Sequence, residues 1–234
     1  MNIIITGAGR GIGFETAKLF SKMKGNRIIA VSRNITALQK ISETIPRGKN
    51  NSSLYPFAVD LSKNEFEKDI LKYVLDRFNK IDILINNAGI LVNKTLQNLS
   101  EKDYDNIFNV NIKAPFLLTK ALLPHFNNPS HIVNISSMGG FLGSVKFPGL
   151  SLYSASKGAL AVFSECLAEE FKDQGISVNC LSLGSVQTEM LNEAFPNYKA
   201  SQKPLDIAEF IVDFAINGNK YMNGKIIPVS LSTP

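Results

Sequence analysis

The strongest constraint on the fold is a repeated alternation in which each short apolar run is followed by a longer amphipathic stretch. The runs are IIIT (3–6), RIIAVS (27–32), SLYPFAV (53–59), DILINN (82–87), HIVNIS (131–136), ISVNCLS (176–182) and GKIIPVS (224–230). They are rich in Ile, Val and Leu without strict polar alternation, the pattern of strands buried on both faces. Helix-length segments lie between them, at 11–24, 62–79, 101–126, 152–174 and 204–217. In LSKNEFEKDILKYVLDRF, for example, Phe66, Ile70, Tyr73 and Val74 fall at helical spacing with the charges elsewhere. Alternating strand and helix predict an α/β fold, a doubly wound parallel sheet of about seven strands with helices on both faces. Neither a linker nor an internal repeat interrupts the pattern, so residues 1–234 are expected to form a single domain.

Charge and cysteine usage exclude several function classes. The net charge is +5, but the basic residues are scattered, and PRGKNN at 46–51 is the nearest approach to a basic loop, so no nucleic-acid partner is expected. Cys166 and Cys180 make no CxxC pair and read as small buried side chains in a reducing compartment. His125 and His131 lack the i,i+4 spacing of helical ligands, so no metal site is expected. The chain opens directly into a strand, without a basic leader, and no apolar run approaches the roughly 20 residues that span a bilayer. A soluble, cytoplasmic protein with no membrane partner is expected.

Ligands of such a sheet bind beyond the carboxyl ends of the strands. The segment after the first run is TGAGRGIG, residues 6–13. Its glycines allow a tight turn and close backbone approach, and the helix it opens offers N–H groups and a positive dipole end to phosphate. A glycine cluster in this position signals a dinucleotide. The spacing is TGxxxGxG, and it is followed in order by NNAG (86–89), NISS (134–137), YSASK (153–157) and LGSVQT (183–188). This series resembles the short-chain dehydrogenase/reductase family over almost the whole chain. The resemblance implies a Rossmann fold and a nicotinamide cofactor held by Gly7, Arg10, Gly11, Ile12 and Gly13.

The second run ends VSRN, where many NAD sites carry Asp or Glu for the ribose hydroxyls. Ser32 and Arg33 stand there instead, and a guanidinium suits a 2′-phosphate. Arg10 would add a second positive charge. NADP(H) is therefore favoured, with NAD(H) the second candidate. The resemblance gives the adenine contact to Asp60 and Leu61 and the ribose contact to Asn87, Ala88 and Gly89. Asn86 reads as a tie between neighbouring strands, and Ser62 as a better helix cap than Asp60.

The reacting centre is read from four residues. Asn111 shares the apolar face of its helix with Ile107, Ala114 and Leu118, and Pro115 removes the N–H that would bond the Asn111 carbonyl. The resemblance assigns Asn111 to a water chain leading to the catalytic lysine, and Ser137 to the substrate oxygen. Tyr153 and Lys157 stand one helical turn apart. A cation about 4 Å from a phenol is worth roughly 4 kcal/mol at an effective dielectric near 20. Lys157 is therefore expected to pull the Tyr153 pKa down toward neutrality, and both residues would also meet the cofactor ribose. Sixteen positions separate Ser137 from Tyr153, and GSVKFPGLS supplies a lengthened loop expected to reshape the substrate pocket. Leu183 stands where the family has Pro, which is expected to loosen the turn before Gly184. Gly184, Val186 and Thr188 match the family's remaining cofactor contacts.

Residues 189–203 read as a polar, partly helical lid offering Met190, Leu191, Phe195 and Tyr198 to a substrate. The function implied is an NADP(H)-dependent oxidoreductase that interconverts a carbonyl and a secondary alcohol, acting on a small molecule. The reading from a different class is a nucleotide-sensing regulator without turnover, and the intact Asn111, Ser137, Tyr153 and Lys157 argue against it. Helices 101–126 and 152–174 are long and apolar, and the family often pairs subunits through them, so a homodimer or homotetramer is expected.

Overall fold

The computed structural model describes residues 1–43 and 52–231. The PRGKNN segment lies outside the described residues. Seven parallel strands form one sheet: β1 (Asn2–Thr6), β2 (Arg27–Ser32), β3 (Ser53–Ala58), β4 (Ile81–Asn86), β5 (Phe126–Ser137), β6 (Ile176–Leu183) and β7 (Ile226–Val229). Their order is β3-β2-β1-β4-β5-β6-β7. The chain winds outward from β1 to β3, then returns to lay β4 on the other side of β1. The carboxyl ends of β1 and β4 therefore flank the switch point where a doubly wound sheet opens a crevice.

Each strand feeds both faces. Ile3 and Ile5 join one core with Ile28 and Ala30, while Ile4 joins the opposite core with Ile29 and Val31. Helices α1 (Gly11–Lys22), α2 (Ile35–Glu43) and, late in the chain, α8 (Pro204–Asn217) cover the first face through Phe20, Leu38, Ile211 and Phe214. Helices α3 (Phe66–Leu75), α5 (Ala114–Leu122) and α6 (Ser151–Phe171) cover the second through Ile70, Leu118 and Leu167. Helix α4 (Glu101–Phe108) precedes α5, and α7 (Glu189–Ala194) lies between β6 and α8. Phe66, Ile70 and Val74 are buried as their spacing requires, and the Tyr73 hydroxyl donates to the Pro56 carbonyl at 3.0 Å.

Several expectations are corrected. The segment 101–126 is not one helix. A π-turn at Asn109–Lys113 separates α4 from α5, and Pro115, unable to donate, sits in the first turn of α5. Helix α3 starts at Phe66, so Ser62 is not its cap, and Ser62 instead donates to Asp60 from both its backbone N–H (3.0 Å) and its hydroxyl (2.8 Å). Helix α2 has too short an apolar face to stand out in the sequence, with only Leu38 and Ile41 buried. Cys166 is exposed and only Cys180 is buried. Among the described residues no helix is long and apolar enough to cross a membrane.

Candidate active site

One cleft of about 1220 Å³ runs across the carboxyl ends of the strands, from the glycine loop to the start of α6. Its first wall is the loop after β1. Gly7 has φ of 69°, and a Cβ there would lie 2.8 Å from the Ala88 Cα. A Cβ on Gly13 would lie 2.4 Å from the Gly7 carbonyl oxygen, so α1 can start against the strand only because no side chain intervenes. Thr6 binds this loop to the NNAG segment. Its Oγ1 accepts from the N–H groups of Asn87 and Ala88, both at 3.1 Å. Asn87 returns the tie, its amide donating to the carbonyls of Thr6 (3.0 Å) and Gly7 (3.3 Å). Asn86 donates to Asn134 at 2.8 Å, joining β4 to β5 as its sequence context implies.

The far end of this wall carries Ser32, Arg33, Asp60 and Leu61, with Ile12, Gly11 and Gly89 nearer its middle. Arg33 is exposed and close enough to Asp60 to act on its charge. Burial works to raise the Asp60 pKa. The two Ser62 hydrogen bonds and the charges of Arg33 and Lys63 outweigh it and hold the carboxyl below its ordinary value. Arg10 does not stand free beside Arg33. Its guanidinium reaches over the cleft to Glu193 of α7, with Nη1 at 2.5 Å from Oε1.

The opposite end of the cleft is built by β5, the loop after it and α6. Ser136 is buried and donates to the Lys157 carbonyl at 2.8 Å. The register of β5 therefore turns its neighbour Ser137 toward Tyr153, close enough for its hydroxyl to act on the phenol. Ser137 Oγ also accepts from the Gly139 N–H at 3.1 Å. Lys157 is 4% exposed and donates to the Ile135 carbonyl at 2.7 Å. Burial pushes its pKa down to about 8. Burial also pushes the Cys180 thiol up to about 11, so it stays protonated beneath the lysine.

The expected depression of the Tyr153 pKa is reversed. Burial raises the phenol above its ordinary value, with the nearby Ser137 hydroxyl opposing. The attraction anticipated from spacing is not among the influences on the phenol, because the Lys157 ammonium is directed at the Ile135 carbonyl. Tyr153 is a phenol, not a phenolate, at neutral pH.

Asn111 is fully buried behind this end and does not line the cleft. Its Oδ1 accepts from the Ile90 N–H at 2.8 Å, and its Nδ2 donates to the Ile90 carbonyl and to Ser156 Oγ, both at 3.0 Å. Ser156 in turn donates to the Tyr153 carbonyl at 2.7 Å. The π-turn thus grips both the NNAG segment and the first turn of α6.

Leu183 is not in a loosened turn. It is the last residue of β6, in register with Ser137 on one side and Val229 on the other, and Gly184 N–H continues the ladder to the Val229 carbonyl at 2.9 Å. Gly184, Val186 and Thr188 line the cleft beyond it, and Thr188 caps α7 by accepting from the Leu191 N–H at 3.2 Å. The lid is tied at both edges: Asn93 donates to the Ala194 carbonyl at 2.9 Å, and Ser185 shares a hydrogen bond with the Tyr198 hydroxyl at 2.9 Å. Sequence reasoning did not single out Thr6, although a hydroxyl beside a glycine turn was a visible signal. It gave no signal for Leu91 and Val92, which reach the cleft because Lys94 N–H bonds the Gly149 carbonyl.

Residues 1–199 match the family model for the short chain dehydrogenase. A 3-oxoacyl-[acyl-carrier-protein] reductase, FabG, of Thermotoga maritima is 31% identical, the alignment covering 97% of this chain and 94% of that one. Among solved structures, a 3-ketoacyl-(acyl-carrier-protein) reductase from Brucella melitensis complexed with NADH superimposes with TM-score 0.86 at 27% identity, covering 98% of this chain and 96% of that one. A short chain dehydrogenase from Burkholderia cenocepacia in complex with NADP gives TM-score 0.86 at 26% identity, covering 97% and 95%. The family-model match over residues 1–199, with 31% identity to a relative over 97% of the chain, makes this protein an oxidoreductase belonging to the short-chain dehydrogenase family.

Proposed function

We propose that this protein is an NADP(H)-dependent reductase that converts a ketone into a secondary alcohol and can run in reverse, with Tyr153 as the proton donor. The observation that carries this reading is that Ser137, Tyr153 and buried Lys157 line one end of the same cleft that starts in the glycine loop. A regulator that only bound nucleotide would need the loop end alone.

The chain's residues fit a dinucleotide. The glycine loop is closed to side chains, as Gly7 and Gly13 demonstrate, and the first residues of α1, Gly11, Ile12 and Gly13, line the cleft at the helix end that favours phosphate. Ser32 and Arg33 would hold the 2′-phosphate, Asp60 and Leu61 the adenine, Gly89 and Lys157 the nicotinamide ribose, and Val186 and Thr188 the carboxamide. The solved relatives holding NADH or NADP support a nicotinamide cofactor, and the absence of a carboxylate at the end of β2 supports NADP. When bound, the nicotinamide supplies the hydride to the carbonyl carbon or takes it back.

Tyr153, protonated at neutral pH, gives its proton to the carbonyl oxygen as the alcohol forms. Ser137 donates to the same oxygen and sets its distance from the phenol. Lys157 lies behind the pair, and the Asn111 carbonyl, without an i+4 donor because of Pro115, extends the path by which the proton is replaced. The lid 189–203 closes the substrate end. The same reading carries the expected pairing of subunits through α5 and α6, where Phe116 and Val162 are exposed.

The test is titration of NADPH and NADH into wild type and Arg33→Ala, followed by a carbonyl panel with Tyr153→Phe as control. NADPH binding that weakens in Arg33→Ala while NADH binding holds, with turnover reduced at least about 100-fold in Tyr153→Phe, is expected. Binding without turnover on any carbonyl or alcohol would favour the regulator.

A further inference from the structure

We infer that the substrate is an uncharged carbonyl compound with an apolar body, not a keto acid or a polyhydroxylated sugar; this rests on the reductase reading above. The inference comes from how charge is divided along the cleft. Its charged side chains are Arg10, Arg33, Asp60, Glu189, Glu193 and Lys157. The first five gather around the glycine loop, β2 and the N-terminal half of the lid, and Lys157 is buried under the Ile135 carbonyl.

Beyond Tyr153 the wall changes character. Three segments meet there: residues 90–94, the loop 141–150 that holds the lengthened stretch, and the lid. They are joined by the Lys94–Gly149 backbone bond and by Asn93 donating to the Ala194 carbonyl. They present Leu91, Val92, Phe147, Leu150, Leu191 and Phe195 to the cleft.

Cations near this end are turned away from it. Lys94 forms an ion pair with Asp103 at 2.8 Å, and Lys146 donates to the Phe141 carbonyl at 2.6 Å within its own loop. A carboxylate entering this space would lose its hydration without gaining a counter-ion. The polar side chains are also largely spent on each other, since Ser185 and Tyr198 share a hydrogen bond, so the several hydroxyls of a sugar would be left unsatisfied. An alkyl or aryl body gains from every wall it touches.

The apolar body could be part of a free ketone or of a 3-oxoacyl group carried on a thioester, and the experiment separates these sources. With NADPH present, kcat/KM is measured for 2-alkanones of increasing length, for their ω-carboxylated counterparts, for ketoses, and for 3-oxoacyl pantetheine thioesters of matched length. Each added methylene is expected to raise kcat/KM about threefold to fourfold until the apolar end is filled. The carboxylated counterparts are expected to fall at least about tenfold below, and Phe195→Arg is expected to narrow that gap. A thioester series that outruns the alkanones identifies a carried acyl chain; equal series identify a free ketone.

Ketoses or keto acids turned over faster than the alkanones would overturn the inference while leaving the reductase reading standing. If nothing is turned over, thermal shift of the NADPH complex by the same panel still decides it. Stabilisation by alkanones but not by their carboxylated or hydroxylated analogues would uphold the apolar class and sink only the reductase reading; the opposite order would overturn the class.

Discussion

Lys157 donates to the Ile135 carbonyl at 2.7 Å, so a charged group is held beneath the reacting centre by the end of a core strand. Its burial pushes its pKa down from 10.5 to about 8. A cation whose pKa falls on folding costs stability wherever it is charged, that is below about pH 8, and the cost disappears as pH rises from about 8 toward 10.5. The difference corresponds to about 3 kcal/mol at neutral pH. Lys157→Met is therefore expected to raise stability at pH 7 by up to about 3 kcal/mol while abolishing turnover. Urea unfolding alongside NADPH oxidation checks both halves; a variant that loses stability at pH 7 would show that the Ile135 hydrogen bond outweighs the buried charge.

The same group sets a pH profile for reduction. The protonated form of Lys157 dominates at pH 7 and is lost as pH passes about 8, while burial keeps Tyr153 protonated above its ordinary value. The expected kcat profile for reduction is flat below pH 7 and falls through an apparent pKa near 8. A fall beginning only above pH 10 would assign the profile to the phenol alone.

Asn111 spends its whole side-chain amide on Ile90 and Ser156. Asn111→Leu would leave the N–H and C=O of Ile90 without their partners in a part-buried setting, at up to about 1 kcal/mol for each group. It is also expected to lower kcat with little change in cofactor affinity, because the glycine loop is held independently by Thr6 and Asn87. Stopped-flow cofactor binding and steady-state turnover separate the two effects, and a purely structural role would leave kcat intact in the surviving folded fraction.

The positions of the strands and of the glycine loop were legible because burial on both faces leaves runs such as IIIT no polar alternation, and a tight turn leaves glycine no substitute. Tyr153 and Lys157 were legible as a pair from their helical spacing. Their electrostatics were not, because spacing along a helix says nothing of which carbonyl waits at the end of a neighbouring strand. Leu183 illustrates the same limit. Reading the loss of a proline as looseness overlooked that a residue with its N–H restored can extend β6. The break at Asn109–Lys113 was partly readable from Pro115, but its grip on Ile90 joins residues 21 positions apart.

His131 supplies an acid limit far from the cleft. Its Nδ1–H donates to the Ala215 carbonyl at 3.0 Å and its Nε2 accepts from the Asn179 amide at 3.0 Å, so the neutral ring is fully used. Burial pushes its pKa from 6.5 down to about 4, against the favourable effect of the Ala215 carbonyl. A histidine whose pKa is depressed on folding contributes stability that is whole above about pH 6.5 and is lost as pH falls toward about 4, roughly 3 kcal/mol in all. Unfolding free energies between pH 7 and 4 are expected to decline by that amount in wild type and to decline less in His131→Gln. Equal slopes would remove His131 from the acid limb.

The Arg10–Glu193 pair joins the glycine loop to the lid at the point where a cofactor's phosphates would compete for the guanidinium. The Glu193 hydrogen bond, opposed in part by burial and aided by the charge of Glu189, raises the Arg10 pKa, and Arg10 in turn lowers that of Glu193. Glu189 is also near, since a Cβ on Gly11 would lie 3.6 Å from its Oε2. Two carboxylates therefore face the positive end of α1, where they hold the lid down and disfavour an incoming anion. Glu193→Gln is expected to tighten NADPH binding a few-fold, with kcat unchanged, and to speed proteolysis of 189–203 in the free protein. Raising the ionic strength should shrink the affinity difference, because both groups of the pair are exposed. Arg10→Ala separates the alternatives: it opens the lid equally but removes a phosphate partner, so it should bind NADPH more weakly than wild type. If Glu193→Gln also binds more weakly, the carboxylate assists closure over the cofactor and does not compete with it.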